Sequence, residues 1–340
     1  MNTRLILPVP IPSYWGSSTP FTAMRIILLT LLLLTGCRSD TPLQFALIGD
    51  GPYSPIGEEV AARMIEDINA RDHMAWVIHL GDTKGGSQSC SDALLQSRFD
   101  LFQQFSIPFL LTPGDNDWFD CVREAAGSYD DYERLDFTRK LFYPDPAVST
   151  GGQAMPVRSQ ALESTYTEFV ENRMWEQGGA VFATVHLVAI TRAPTDSTVA
   201  QRRLDAASDW VRTAFKTARE SGAAGVFLAT QVDLWPVSSP QEFYGEACRL
   251  CGQPAPGLAP FYDVLAEESA AFEGQVVIAV GDTHVFRVDK PLRGTNGAVL
   301  QNVTRVEGFG EPNLHWVRVE VDPAERQVFT FYQEFVPAGS

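Results

Sequence analysis

The sequence predicts an α/β fold of four layers, α/β/β/α, with two mixed sheets face to face and helices outside. Three observations predict it. Short apolar runs alternate with segments of helical period along most of the chain. The last three strand-like runs follow one another without a helix, so an α/β beginning is closed by an antiparallel meander. Finally, no internal repeat or low-complexity linker divides a chain at the upper edge of what one core supports, and two facing sheets explain how it stays one domain.

The strand candidates are residues 43–48, 75–80, 107–112, 181–190, 225–230, 275–280, 298–305, 314–321 and 327–335. One helix is read from Val60, Met64, Ile65 and Ile68, and another from Leu204, Val211, Phe215 and Ala218, each spaced to make a single apolar face. Residues 43–336 are thus the expected domain. The long inserts 116–180 and 231–274 are expected to wall any pocket, because loops carry most recognition.

Composition narrows the partners. The chain has 340 residues, 45% of them hydrophobic and 11% aromatic, which marks a globular protein with a large core. Its formal net charge is −16 and it has no Lys/Arg block, so no nucleic acid is expected as a standing partner. A small phosphorylated substrate stays compatible, because bound cations can invert the field of an acidic site.

The N-terminus reads as a targeting segment. Arg25 precedes the apolar run Ile26–Leu34 and then Leu34-Thr35-Gly36-Cys37. The run is well short of the ~20 residues of a spanning helix. The motif resembles a bacterial lipobox, which implies cleavage before Cys37, a lipid on that residue and a membrane contact through it. Residues 1–36 are then the signal segment, with Met24 as the start of a compact signal peptide, and the location is the bacterial cell envelope, periplasmic side or cell surface. Four more cysteines, Cys90, Cys121, Cys248 and Cys251, fit an oxidising compartment. Spacing favours Cys90 with Cys121 and Cys248 with Cys251, and a zinc ribbon or redox Cys-x-x-C is the alternative.

The chemistry is carried by a repeated strand ending. Four runs lead into Gly-Asp: Phe45-Ala-Leu-Ile-Gly-Asp50, Val77-Ile-His-Leu-Gly-Asp82, Leu110-Leu-Thr-Pro-Gly-Asp115 and Val277-Ile-Ala-Val-Gly-Asp282. Each sets a carboxylate just beyond a strand's carboxyl end, where α/β sheets bind ligands. One such pair is ordinary turn chemistry. Four on one edge would repel one another and need cations or protons to coexist.

In order and spacing these blocks resemble the calcineurin-like metallophosphoesterases, over about Leu43–Val336. The resemblance implies a metallophosphoesterase-like sandwich and a metal-dependent phosphoester hydrolase with one or two divalent cations. Carried over by position, Asp50 matches the first metal ligand, Asp82 the bridging ligand and His284 the last histidine of the final block. Departures are equally plain. The first-block histidine is absent from Asp50-Gly51-Pro52, and Gly-Asn-His-Asp becomes Gly114-Asp115-Asn116-Asp117. Either Asp115 or, in a slipped register, Asn116 is then the ligand, with Asn116 near the leaving group. The strand-end histidine becomes Gln231, and the first histidine of the last block becomes Asp282. These replacements are oxygen donors, so the implied metal is Mn²⁺ or Mg²⁺ ahead of Fe or Zn. Catalysis would fall to Asp82, Asn116 and His284.

Lys84 and Arg192 are candidates for phosphate oxygens, with solvated surface charge as the alternative. His79, His186 and His315 are read as hydrogen-bonded residues within strands, and Tyr53 as loop packing. Trp118 and Trp235 either line a pocket or belong to the core. A second class of function is a non-catalytic cation-binding envelope module on a degenerate phosphoesterase scaffold, retaining a structural cation or none, supported by the replaced histidines.

Overall fold

Period-two burial builds the strands. In β1 (Leu43–Ile48), Phe45 and Leu47 enter the layer between two sheets while Ala46 and Ile48 enter the layer beneath the helices. The computed structural model describes residues 42–188, 197–235 and 257–337. Cys37, Arg192, Cys248 and Cys251 lie outside them.

Twelve further strands follow: β2 (Met74–His79), β3 (Pro108–Leu111), β4 (Thr150–Gly151), β5 (Arg158–Ser159), β6 (Arg173–Gln177) and β7 (Ala180–Thr184). Then come β8 (Gly225–Ala229), β9 (Gln275–Val280), β10 (Arg287–Asp289), β11 (Val303–Glu307), β12 (Trp316–Val321) and β13 (Phe329–Glu334). One sheet has the order β13-β12-β1-β2-β3-β4 and the other β10-β11-β9-β8-β7-β6-β5. Both are mixed: β1, β2 and β3 are parallel while β12 runs against β1. Strands β7, β8, β9 and β11 are parallel, with β6 and β10 antiparallel at their flanks.

Phe45, Trp76, Trp175, Phe182, Phe227 and Phe329 fill the layer between the sheets. Helices α1 (Pro55–Asn69), α2 (Asp92–Phe102) and α3 (Asp131–Phe142) cover the outer face of the first sheet through Met64, Ile65, Ile68, Phe102 and Phe142. On the second sheet, α4 (Ser197–Ser221) and α5 (Ala259–Ala270) bury Trp210, Phe215 and Leu265. The architecture is therefore the four-layer sandwich. Each such side chain stabilises the fold by about 1.5–3 kcal/mol when fully buried. α1 starts where Ser54 accepts the Gly57 amide and Pro55 presets the first turn.

Two runs differ from expectation. The run read as 181–190 ends as a strand at Thr184, because the His186 amide donates to the Asn172 side chain instead of a ladder partner. The run read as 298–305 becomes a strand only at Val303, because Ala298 and Leu300 are held in a turn by Gly294 and Leu292. His186 and His315 accordingly lie just outside strands.

Candidate functional site at the carboxyl edge of the sheets

The parallel strands β1, β2, β3, β8 and β9 deliver Asp50, Asp82, Asp115, Gln231 and Asp282 to one edge. Three of the aspartates turn the chain in the left-handed region, with φ of 48° at Asp50, 54° at Asp82 and 74° at Asp282. His284 joins them at 62°. Asp enters that region more readily than most side chains, which suits it to this sharp exit from a strand. Reciprocal backbone bonds, Asp50 N to Gly81 O at 3.0 Å and Gly51 N to Asp82 O at 2.9 Å, tie the first two turns together. Glycine is required beside them. A Cβ at Gly114 would stand 1.9 Å from Asp82 Oδ1, and one at Gly281 2.5 Å from Asp50 Oδ2.

The chain's own donors occupy these carboxylates. Asp82 accepts from Asn116 N at 3.1 Å, Asn116 Nδ2 at 2.9 Å and Gln231 Nε2 at 3.2 Å. Asp117 accepts the amides of Asp82, Thr83 and Gly114 and the Thr83 hydroxyl, all within 3.0 Å. Asp50 Oδ1 accepts from the Asp282 amide at 3.0 Å, and only its Oδ2 is buried without a hydrogen-bond partner. His284 Nδ1 donates to the Glu311 carbonyl at 2.8 Å, which leaves Nε2 3.9 Å from Asp50 Oδ1. Beneath lies an ionic layer in which Asp233 accepts from Arg287 and Arg305 while Glu307 accepts from Arg287 and Thr283.

Electrostatics follow from burial. Removal from water pushes Asp50 well above the usual carboxylate range; the hydrogen bond from the Asp282 amide opposes this, and the charges of Asp282, Glu307 and Asp115 add to the rise. Asp82 rises for the same first reason, with Asp115 and Asp50 next. Burial takes Asp115 up to about 7, helped by Asp120 and Asp282. Lys84 is fully buried among these acids, and its Nζ donates to Gly85 O. Burial lowers its pKa while Asp117, Asp82, Asp120 and Asp115 oppose that fall, so it acts as an internal counter-charge.

These residues do not fit the implied cations. Among the described residues, no three His, Cys, Asp or Glu side chains are grouped so as to hold a metal ion. The Asp82 oxygens are turned toward amides inside the protein, so a bridging role for Asp82 competes with three donors already in place. The expectation of a Mn²⁺ or Mg²⁺ site is corrected accordingly. Without that site the expected phosphoester hydrolase and its small phosphorylated substrate lose their physical basis, and both expectations are withdrawn.

Other predicted residues fall into place around this edge. His79 is buried, accepts the Gly81 amide at Nδ1 and faces Gly51 O through Nε2. His186 is buried between Glu171, Arg203 and the Trp118 indole. His315 Nδ1 accepts the Val336 amide. Tyr53 lies 5.5 Å from the His284 ring, centroid to centroid. Trp118 and Trp235 are both buried, and Trp118 lines a small cavity of about 40 Å³ with Phe119, Tyr132, Leu187, Val188 and Arg203. Cys90 and Cys121 form a disulfide. Sequence reading gave no role to Asp117, although it closes the third block, nor to Asp233, Arg287, Glu307 and Glu311, which stand in no motif.

The strand order and the strand-end turns define a metallophosphoesterase-like sandwich. No protein-family profile matches the chain, and no curated protein matches it. Among solved structures the chain is similar to one described as GAP50, the anchor in the inner membrane complex of Plasmodium. That likeness has a TM-score of 0.48 and 11% identity, over 88% of this chain and 90% of the other. At that level it carries no inference about activity, and the reading below stands on the chain's own geometry.

Proposed function

We propose that this chain is a non-catalytic envelope module on a phosphoesterase-type scaffold, with its acidic carboxyl edge serving as a binding face. The observation that carries this reading is the internal saturation of Asp82 and Asp117 by amides and side-chain donors. A reaction centre needs oxygens held toward the ligand, whereas these hold the loops to one another. Around the same edge Ile56, Val285 and Phe335 are 73%, 58% and 64% exposed. Exposed apolar residues gathered on one edge suit a protein partner with apolar side chains. The domain of residues 43–336 is the module, and a lipid on Cys37 holds it at the membrane. No helix among the described residues is long and apolar enough to cross one.

The test is hydrolysis of bis(p-nitrophenyl) phosphate and p-nitrophenyl phosphate by metal-stripped protein resupplied with Mn²⁺, Mg²⁺, Ca²⁺ or Zn²⁺, with metal content measured in parallel. The expected result is a background rate with every cation and no stoichiometric metal. Metal-dependent turnover that disappears in Asp82→Ala would overturn the proposal.

A further inference from the structure

We infer that the amino-terminal edge of the two sheets is the surface that lies against the bilayer, so that the acidic edge points away from it. This rests on the lipid anchor at Cys37 proposed above. Leu43, the first residue of β1, follows Cys37 by six positions. Six residues reach at most about 20 Å when fully extended. The anchor thus delivers the bilayer to whichever surface surrounds Leu43.

That surface is the edge opposite the aspartates. Gly178, in the turn between β6 and β7, approaches Leu43 so closely that a Cβ there would stand 2.6 Å from its Cδ2. Gly179 faces Pro323 in the turn between β12 and β13, and its carbonyl accepts the Ala224 amide just before β8. These turns share one edge with the start of β9, since the Gln275 amide donates to Ala224 O. Along β1 the six residues rise about 20 Å, which carries Asp50 that far from Leu43.

Surface chemistry agrees with this placement. The strongly exposed apolar residues Ile56, Val285 and Phe335 follow the carboxyl ends of β1, β9 and β13, and Leu162 follows that of β5, all on the far edge. The amino edge instead carries a mixed cleft of about 970 Å³, where Lys290, Gln301, Glu325 and Arg326 stand beside the apolar Phe272 and Leu300. Polar side chains of both signs suit lipid headgroups rather than acyl chains. Were the apolar rim to lie on the bilayer, the tether would have to run nearly extended along the full height of the domain.

The test uses the full chain, processed in a bacterial host and reconstituted into phosphatidylethanolamine/phosphatidylglycerol vesicles containing a headgroup spin-labelled lipid. An azide-bearing residue is placed at Ala324, in the turn before β13, or at Ile56, and coupled to a fluorophore. With the acyl mass on Cys37 verified, quenching at Ala324 is expected to exceed that at Ile56 at least twofold, and a 20-residue Gly/Ser insertion after Thr41 is expected to reduce the difference. Equal quenching, greater quenching at Ile56, or none at either position in acylated protein overturns the orientation and leaves the anchor standing. Absence of the acyl mass on Cys37 overturns both.

Discussion

Asp50 and Asp82 face the same problem, a carboxylate removed from water, and the protein solves it differently at each. Asp82 is surrounded by three donors, yet burial and the charges of Asp115 and Asp50 still hold it well above the usual carboxylate range. Asp50 has one donor and one buried oxygen without a partner. Its folded-state pKa is raised, so its share of stability is present below the ordinary carboxylate value and is lost as pH rises toward the folded value. We predict that Asp50→Asn raises the melting temperature at pH 8 by roughly 2 °C, about 1 kcal/mol, and that the gain shrinks toward pH 4. A lower melting temperature at pH 8, restored by adding a divalent cation, would show that Asp50 is a ligand after all. The four strand-end aspartates were legible in the sequence because each sits in a local Gly-Asp turn. Lys84 was legible only as a nearby cation, since full burial depends on segments far from it in the chain.

At the scale of elements, the third block shows how a loop is made rigid. Cys121 lies in a short 3₁₀ turn (Phe119–Val122) just beyond Asn116 and Asp117, and its disulfide to Cys90 crosses 31 positions to the start of α2. Cys90, Cys121 and Ala126 are buried together, and Tyr129 packs against them. Closing a loop of that length restricts the unfolded chain and stabilises the fold by roughly 3–4 kcal/mol in the chain-entropy model. The double substitution Cys90→Ala/Cys121→Ala should lower thermal stability by that order, with hydrogen exchange of the Asn116 and Asp117 amides rising more than that of β1. Equal exchange in both regions would show that the disulfide does not anchor this block. The register of the block was open in the sequence between Asp115 and Asn116. Packing decides the hydrogen bonds: Asn116 contacts Asp82, and Asp117 gathers the amides of two turns.

For the whole molecule, the titration of buried groups sets opposite pH trends. Burial lowers His79 to about 3 and, first among its causes, lowers His186 to about 4. Such groups are neutral in the fold and protonated in the unfolded chain below about 6.5, so their stability is present above that value and is lost as pH falls toward 4. For His79 alone the loss is on the order of 5 kcal/mol at full protonation. Asp115 and Glu307, both raised to about 7 by burial, act in the other direction and lose stability as pH rises through neutrality. The expected stability profile is therefore broad, with an acid limb steepening below about pH 5. The His79 ring protons should show no NMR titration between pH 8 and 5, and a midpoint near 6.5 would refute its burial as a neutral group.

The sequence by itself determined the layered α/β class, the main strands, the two long helical faces and the strand-end aspartates, because period and turn chemistry act over a few residues. It could not decide whether those aspartates present their oxygens to a ligand or to the protein. The donors that answer this question stand 34 positions from Asp82 at Asn116, 149 positions away at Gln231, and 232 positions from Asp50 at Asp282. Only tertiary packing brings such partners within 3.2 Å, and a hydrogen bond depends on displacements smaller than a residue-level pattern can encode. The same packing separates the two edges of the sheets, and that separation gives a short tether after Cys37 its consequence for orientation.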